Sequence, residues 1–482
     1  MRAWLLALDH RFDAAFGGAA NPLKQLGALA FLLLWLLAVS GVVLYALLDT
    51  SAQGSYRSME ALSRTPWGQA LRGLHRYAAD AFVLAMLLHL LREGVLRHHA
   101  GVRTHAWTTG VLLLPLAYAS SIGGFWIPWD RLGQFSAIAT AEWLDALPFL
   151  GAPLARNFLQ GGVGDRLFSL FVFVHLGLPL LLVFASWTHV QRISRVRAFP
   201  HRTLAAGTSA ALLLLAFVLP VGNQGPADLA LAPQRLDFDW LLLFVHPLVD
   251  ATSAQATWAL LAAVFAGLLA LPLVRVPAQP VAVVDPANCN GCGRCADDCP
   301  FAAITLVPHP LRRPGVQLAQ VNTALCASCG ICAGACPSST PFRKTQAFVT
   351  GIDMPQGPMG AMRERLREGL ARGARRVVFG CERGARVATL RAPDVIALGL
   401  PCIANLPPSF VEYALREGAD SVVVAGCREG GCEFRLGQQW MAQRLAGMRE
   451  PHLRAGVPPR WRTVWADAGE EARLRAALED GT

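Results

Sequence analysis

Apolar runs free of charge recur through the first 275 positions, each near the ~20 residues a helix needs to cross ~30 Å of hydrocarbon. They cover 25–48, 106–129, 167–191, 203–227 and 251–274. A sixth stretch, 71–96, is interrupted by Asp80 and weaker by hydropathy, yet the loop charges sort by side only if it crosses as well. The pattern then changes at RVPAQPVAVVDPAN, a proline-bearing linker into polar sequence. Beyond residue 375, short β-branched runs (RRVVFG, DVIALGLP, SVVVAG, WRTVWAD) alternate with amphipathic stretches (PPSFVEYALREG, FRLGQQWMAQRLAG, EEARLRAALEDG), which predicts a small α/β domain on a parallel sheet. The expected layout is multidomain. An all-α six-helix transmembrane bundle spans 1–275, a cysteine-rich α+β domain 276–345, a linker 346–374 and the α/β domain 375–482. The opening MRAWLLALDHRFDAAFGG lacks a small-residue cleavage site and reads as an interfacial helix rather than a cleaved signal peptide.

Composition sharpens this division. The 482 residues are 54% apolar and 16% charged, which excludes a disordered or low-complexity protein. All twelve cysteines follow residue 288 and ten of the twelve histidines precede it, so thiol and imidazole chemistry occupy different halves. The net charge of +10 rests almost wholly on arginine, since only Lys24 and Lys344 are lysine. It reads as positive loops beside a membrane, with no nucleic-acid partner. Six spans put Arg92, Arg97, Arg103, Arg192, Arg195, Arg197, Arg202 and Arg275 on one side, and Asp228, Asp237, Asp239 and Asp250 with only Arg235 on the other. The positive-inside rule then sets both termini and everything after residue 275 in the cytoplasm of a bacterial cell, with the spans in its inner membrane.

Four histidines fall within the spans, where an imidazole is costly and usually has a task. His75 and His89 are 14 residues apart, as are His175 and His189. Fourteen steps of 100° return to within about 40° of the start, so each pair shares a helix face with ~21 Å between its members. Two such helices hold two stacked bis-histidine haems, His75 with His175 and His89 with His189. Gly27 and Gly41 in the first span, and Gly110 and Gly124 in the third, repeat the interval. Glycine supplies the side-chain-free backbone that a flat macrocycle needs beside it. In the plainer alternative, the histidines hydrogen-bond across helices and the glycines serve helix packing.

The stretches LRGLHRYAADAFVLAMLLHLLRE, WTTGVLLLPLAYASSIGGFWIPW and FSLFVFVHLGLPLLLVFASWTHV resemble the second, third and fourth helices of cytochrome b from quinol:cytochrome c reductases. That resemblance covers about 275 residues. It implies that Arg72 and Arg92 lie beside haem propionates and that Pro128-Trp129 closes the third helix. It also implies a quinone as substrate, and homodimers are common among such relatives. The family's outer quinone signature, Pro-Glu-Trp-Tyr, falls on Phe238-Asp239-Trp240-Leu241, where Asp239 is a candidate proton acceptor, with a solvated loop carboxylate as the alternative. With both termini inside, His75 and His175 lie toward the outer face and His89 and His189 toward the cytoplasm. His201 reads as a surface histidine. No Cys-x-x-Cys-His occurs, so both haems are expected to be b-type.

Cys289-x2-Cys292-x2-Cys295-x3-Cys299-Pro300 is repeated as Cys326-x2-Cys329-x2-Cys332-x3-Cys336-Pro337. In this pattern three close thiolates wrap one [4Fe–4S] cluster while the fourth crosses to the other. Residues 281–340 resemble the bacterial two-cluster ferredoxins. One cluster would then take Cys289, Cys292, Cys295 and Cys336, and the second Cys326, Cys329, Cys332 and Cys299. Paired zinc sites are the alternative; a cytoplasmic location excludes disulfides.

In the α/β domain Cys381, Cys402 and Cys427 each follow a strand, and Cys432 shares the loop of Cys427. Strand-end loops of open α/β sheets converge on one edge, where four thiols suit one small cluster. The passage GLPCIANLPPSFVEYALREGADSVVVAGCREGGCEFRLG resembles the hydrogenase iron–sulfur subunit family, typified by the delta subunit of methyl-viologen-reducing hydrogenase. The resemblance implies one [2Fe–2S] cluster and electron exchange with a hydrogenase or dehydrogenase and heterodisulfide-reductase-like flavoproteins. It departs at Cys381-Glu382-Arg383-Gly384, where the family usually carries a close Cys-x2-Cys and this chain has one thiol. Zinc and unligated core thiols are the alternatives.

Taken together, these features describe a redox series of one [2Fe–2S] cluster, two [4Fe–4S] clusters and two b haems. Dinucleotide and nucleoside-triphosphate fingerprints are missing, and the glycine-rich Gly161-Gly162-Val163-Gly164 reads as a plain loop. The function expected is the quinone-reactive electron-transfer subunit of an oxidoreductase, docking a cytoplasmic flavoprotein, hydrogenase or dehydrogenase. The competing class is a membrane-anchored redox sensor or docking scaffold without quinone turnover.

Overall fold

The computed structural model describes residues 2–148, 154, 155, 158, 164–191, 196–233, 235–274, 279–310, 312, 314–344 and 348–479. Two compact units emerge. One holds the membrane helices through residue 274; the other holds residues 279–479 together with Leu6–Ala19. Most of helix α1 (Arg2–Phe16) therefore groups with the C-terminal unit rather than with the 1–275 domain expected from the sequence. Its His10 Nε2 lies 3.9 Å from Asp467 and 4.0 Å from Glu470, and Asp13 lies 3.9 Å from Arg428, contacts that join the helix to that unit.

In the membrane unit α2 (Leu26–Leu47) packs on α4 (Pro66–Val95), and α5 (Thr104–Trp126) on α7 (Asp165–Gln191). Ala30, Leu33 and Leu34 of α2 meet Ala78, Phe82 and Val83 of α4 in a common core. Helices α8 (Arg202–Val218) and α10 (Ala254–Ala270) coincide with the fifth and sixth apolar stretches of the sequence. Among the described residues, four helices are long and apolar enough to cross a membrane: Pro22–Leu47, Gly101–Trp126, Asp165–Gln191 and Ala254–Leu273. The stretch weaker by hydropathy is absent from those four, yet among the described residues it forms the longest helix, the 30-residue α4. Its charges are answered from within. Arg72 donates to Ser63 Oγ (2.8 Å) and to the Gly222 carbonyl (3.2 Å), and Arg76 pairs with Asp80 (2.7 Å) and with Asp239. Helix α8 stops at Val218, before Pro220, so the fifth span is shorter than 203–227. The exposed face of α7 is apolar, with Phe173, Leu180, Phe184 and Trp187 at spacings that share a side. Such a stripe is stable against lipid tails and unfavourable in water.

Three further helices gave no span-like signal: α3 (Ser55–Ser63), α6 (Arg131–Asp145) and α9 (Val245–Ala251). Asp130 starts α6 by accepting from the Gly133 N–H at 2.9 Å, and Leu132, Ala137, Ala141 and Trp143 bury its apolar side. Gly161-Gly162-Val163, Arg192, Arg195 and Arg275 lie outside the described residues.

The C-terminal unit opens with β1 (Val283–Val284), pairing antiparallel with β4 (Ile352–Asp353), so the cysteine-rich segment is closed at its base. Between them β2 (Ile304–Pro308) and β3 (Gln317–Val321) form an antiparallel pair, with two short helices, α11 (Arg294–Asp297) and α12 (Ile331–Ala335), carrying the cysteine motifs. The stretch expected to be a linker, 346–374, holds β4 and a 13-residue helix, α13 (Met359–Ala371). Met359, Met362, Leu366 and Leu370 recur at helical spacing and are buried. The last domain is a four-stranded all-parallel sheet in the order β6-β5-β7-β8: β5 (Arg376–Cys381), β6 (Val395–Leu400), β7 (Ser421–Gly426) and β8 (Trp461–Trp465). Helices α14 (Ser409–Arg416), α15 (Gly437–Leu445) and α16 (Glu471–Glu479) follow the expected segments. Val377, Phe379, Val422 and Val424 face the core shared with the cysteine-rich segment, whereas Val378, Val423 and Ala425 face Leu474 and Leu478 of α16. This two-residue alternation is why both faces of the sheet need cover. Leu366→Ala should destabilise the C-terminal unit by about 2–5 kcal/mol. A lowered thermal midpoint checks this, and an unchanged one would mean that the helix is a free linker.

Candidate redox centres

Each glycine at the 14-residue interval lies against a histidine ring. A Cβ built on Gly41 would stand 3.0 Å from His75 Cε1, and one on Gly124 would stand 2.8 Å from His175 Cε1. On the second level Gly27 faces His89 at 3.2 Å and Gly110 faces His189 at 3.3 Å. The His75 and His175 rings approach each other with centroids 6.3 Å apart at an interplanar angle of 78°. Two imidazoles bonded to opposite sides of one metal through bonds of ~2 Å would put their ring centres about 6 Å apart, so this pair fits an axial haem-iron site.

Three of the histidines also have their Nδ1 engaged. Ser40 Oγ donates to the Leu36 carbonyl at 2.6 Å and is left to accept from His75 Nδ1 at 2.9 Å. Thr109 Oγ1 does the same between the His105 carbonyl (2.8 Å) and His189 Nδ1 (2.9 Å), and His175 Nδ1 donates to the Ser120 carbonyl at 2.9 Å. A proton held on Nδ1 leaves the lone pair on Nε2, the tautomer a metal needs. These hydroxyls escaped the sequence reading. The signal was present: Ser40 precedes Gly41 and Thr109 precedes Gly110, a hydroxyl residue beside a histidine-facing glycine in each case.

Arg72 is fixed to Ser63 and Gly222 as described, and Arg92 Nη1 lies 3.6 Å from Glu93. Asp239 pairs with Arg76, and its Oδ1 accepts from the backbone N–H groups of Leu241 (2.8 Å) and Leu242 (2.6 Å). His201 is exposed, with Nδ1 2.8 Å from Thr203 Oγ1.

In the C-terminal unit the eight motif cysteines line two cavities. Cys289, Cys292, Cys295 and Cys336 line one; Cys299, Cys326, Cys329 and Cys332 line the other. Gly291, Gly293 and Gly330 have φ of 69°, 81° and 74°, the left-handed turns that wrap a motif round its centre. Burial and then the neighbouring thiols push Cys295 up to about 12, and burial does the same at Cys329. Buried thiols such as Cys295, Cys329 and Cys332 cannot ionise beside their neighbours unless cations sit among them, which is the condition iron meets in such a cluster. Beside Cys299, the Asp298 carboxylate receives Arg444 and Arg449, and Arg444, fully buried on α15, also donates to the Ala404 carbonyl at 2.8 Å. This network ties the ferredoxin-like segment to the α/β domain, and its members lie too far apart in the chain for the sequence to have suggested it.

Cys381 closes β5, and its Sγ is 3.7 Å from that of Cys427, the residue after β7. A Cβ on Gly437 would overlap Cys402 Sγ and lie 3.3 Å from Cys432 Sγ, so these two sulfurs flank one glycine. Hydrogen bonding within each pair lowers one thiol and raises the other: Cys402 holds Cys432 down to about 7, and Cys427 holds Cys381 below the usual thiol range.

Comparison with known proteins agrees with this division. Residues 15–196 match the family model for cytochrome b/b6/petB, residues 288–340 that for the 4Fe-4S dicluster domain, and residues 383–482 that for the methyl-viologen-reducing hydrogenase, delta subunit. Among curated proteins the chain is similar to cytochrome b6 of Mesostigma viride (33% identity over 135 residues, 27% of this chain and 61% of that protein). It is also similar to cytochrome b6 of Stigeoclonium helveticum (31%, 28% and 63%) and of Tupiella akineta (28%, 36% and 83%). The chain thus spans under two thirds of the first two relatives. A solved structure titled hyperthermophilic respiratory Complex III covers 52% of the chain and 75% of its own, at 20% identity and a TM-score of 0.44. The chain carries a cytochrome b/b6 domain, a 4Fe–4S dicluster domain and a hydrogenase delta-subunit domain, in that order. Haem b and iron–sulfur clusters are what the first two domains imply, and together they support a membrane electron-transfer role. Gly124→Val would drive a branched side chain into the His175 ring. The expected result is loss of b-type haem from the purified protein by pyridine haemochrome assay, with iron–sulfur absorbance retained.

Proposed function

We propose that the chain is the quinone-linked electron-transfer subunit of a membrane oxidoreductase, carrying single electrons between a cytoplasmic redox partner and the quinone pool. The observation that carries this reading is the set of glycine-faced histidines in the membrane helices, on one chain with two four-cysteine cavities. His75 with His175, and His89 with His189, hold two b haems between α4 and α7. Gly27, Gly41, Gly110 and Gly124 clear space beside the rings, and Arg72 and Arg92 stand near the propionates as in the cytochrome b relatives. Cys289, Cys292, Cys295 and Cys336 bind one [4Fe–4S] cluster, and Cys326, Cys329, Cys332 and Cys299 the second. Cys381, Cys402, Cys427 and Cys432 bind a [2Fe–2S] cluster. Bound haem and clusters supply one-electron redox chemistry. The protein orients the imidazoles through Ser40, Thr109 and Ser120 and buries most of the thiols.

The partner expected at the α/β domain is a heterodisulfide-reductase-like flavoprotein, a hydrogenase or a dehydrogenase, by the likeness of residues 383–482 to the delta subunit. Arg97, Arg103, Arg197 and Arg202 support a cytoplasmic side for that domain in a bacterial inner membrane. Electrons crossing the bilayer work with or against ~2.3 kcal/mol per charge per 100 mV. Two experiments test the proposal. In purified membranes a quinol analogue or a low-potential donor should reduce both haems and clusters; reduction of neither would favour a sensor or docking scaffold. His89→Ala should lose one of two b haems, and a variant retaining both would overturn the ligand assignment.

A further inference from the structure

Cys402 is followed by a 3-10 turn, Ile403–Asn405, which carries a fully buried asparagine side chain. The backbone of Asn405 is satisfied, its N–H donating to the Cys402 carbonyl at 2.9 Å. Its side-chain amide is not: neither Nδ2 nor Oδ1 has a hydrogen-bond partner in the polypeptide. An amide withdrawn from water without a partner is a standing cost, and in native proteins it usually marks a missing ligand, ion or water.

What the amide lies against is specific. A Cβ on Gly330 would stand 2.6 Å from Asn405 Cγ, 2.7 Å from Oδ1 and 3.0 Å from Nδ2, so the whole amide is pressed onto the glycine between Cys329 and Cys332. A Cβ on Gly334 would overlap the Ala404 carbonyl, and one on Gly437 would lie 3.5 Å from Ile331 Cδ1 as well as against Cys402. Two glycines of the second motif and one of α15 are thus what allow the turn of the α/β domain to sit on that motif. A cluster sulfur is an acceptor that the polypeptide alone does not supply, and it would satisfy a donor arriving beside Gly330.

We propose that Asn405 Nδ2 donates a hydrogen bond to a sulfur of the centre held by Cys326, Cys329, Cys332 and Cys299, and so raises the reduction potential of that centre relative to its neighbour. This rests on the ligand reading given under the proposed function. The sign follows from charge: reduction adds one negative charge to the cluster, and a donor aimed at sulfur stabilises the more negative state. Asn405 is a positioning residue supplied by the α/β domain, three residues from Cys402, so one turn serves both the C-terminal thiols and the second cubane.

The test is a redox titration of the full-length protein followed by paramagnetic resonance, comparing the natural protein with Asn405→Leu and Asn405→Ala. Both variants remove the donor while differing in bulk. The expected result is that one [4Fe–4S] midpoint falls in both variants while the other cubane and both haems keep theirs. Unchanged midpoints, an equal shift of both cubanes, or a shift confined to the C-terminal centre would overturn the proposal. So would loss of one cluster from both variants with the remaining midpoints unaltered, which would make the residue a packing element. A natural protein lacking any [4Fe–4S] signal would overturn the ligand reading itself, whereas unchanged midpoints in a protein with both cubanes would overturn the proposal alone.

Discussion

A ligating atom taken out of water must be answered, and that constraint organises both units. In the membrane helices a serine, a threonine and a backbone carbonyl take up one nitrogen of each of three imidazoles, which commits the other nitrogen to whatever lies between the helices. The glycines opposite then matter, because even a Cβ there would press on the ring, most tightly at Gly124. In the cysteine-rich segment the same constraint takes the form of buried thiols whose ionisation depends on a cation. The charges of α4 obey it too, with Arg72 and Arg76 each answered from another part of the chain.

Much of this was legible in the sequence where the period of a motif coincides with the period of an element. Fourteen residues are nearly four turns of helix, so equal spacing of His75 and His89, and of His175 and His189, was enough to place each pair on one face. The central strands β5 and β7 were equally plain, because each is buried on both sides and reads as a near-continuous apolar run. The division of the eight motif cysteines into two crossed sets of four was implied by the resemblance to two-cluster ferredoxins, and the two cavities are lined by those same sets.

What was hidden depended on contacts between distant residues. Hydropathy undervalued α4 because it counts Arg76 and Asp80 as solvated, when each is paired inside the bundle. The stretch 346–374 read as a linker, although its Met359, Met362, Leu366 and Leu370 lie on one side of a helix whose buried face only the folded domain reveals. Asp239 invited a functional reading through its place in a motif, and its ion pair with Arg76 came from a helix some 160 residues earlier. Asn405 carried no signal in sequence, since an asparagine after a strand is ordinary; only its lack of a partner singles it out.

The pairing of Val283 with Asp353 and of Val284 with Ile352 has a consequence for the history of the chain. It sets the entrance and exit of the ferredoxin-like segment side by side, the geometry of a cassette that can be spliced into a host at one point. A gene encoding a membrane cytochrome followed by an α/β partner would gain such a cassette without having to bridge any gap. Shuffling of whole modules is thereby a simpler origin for this three-part chain than gradual elaboration of a connecting loop.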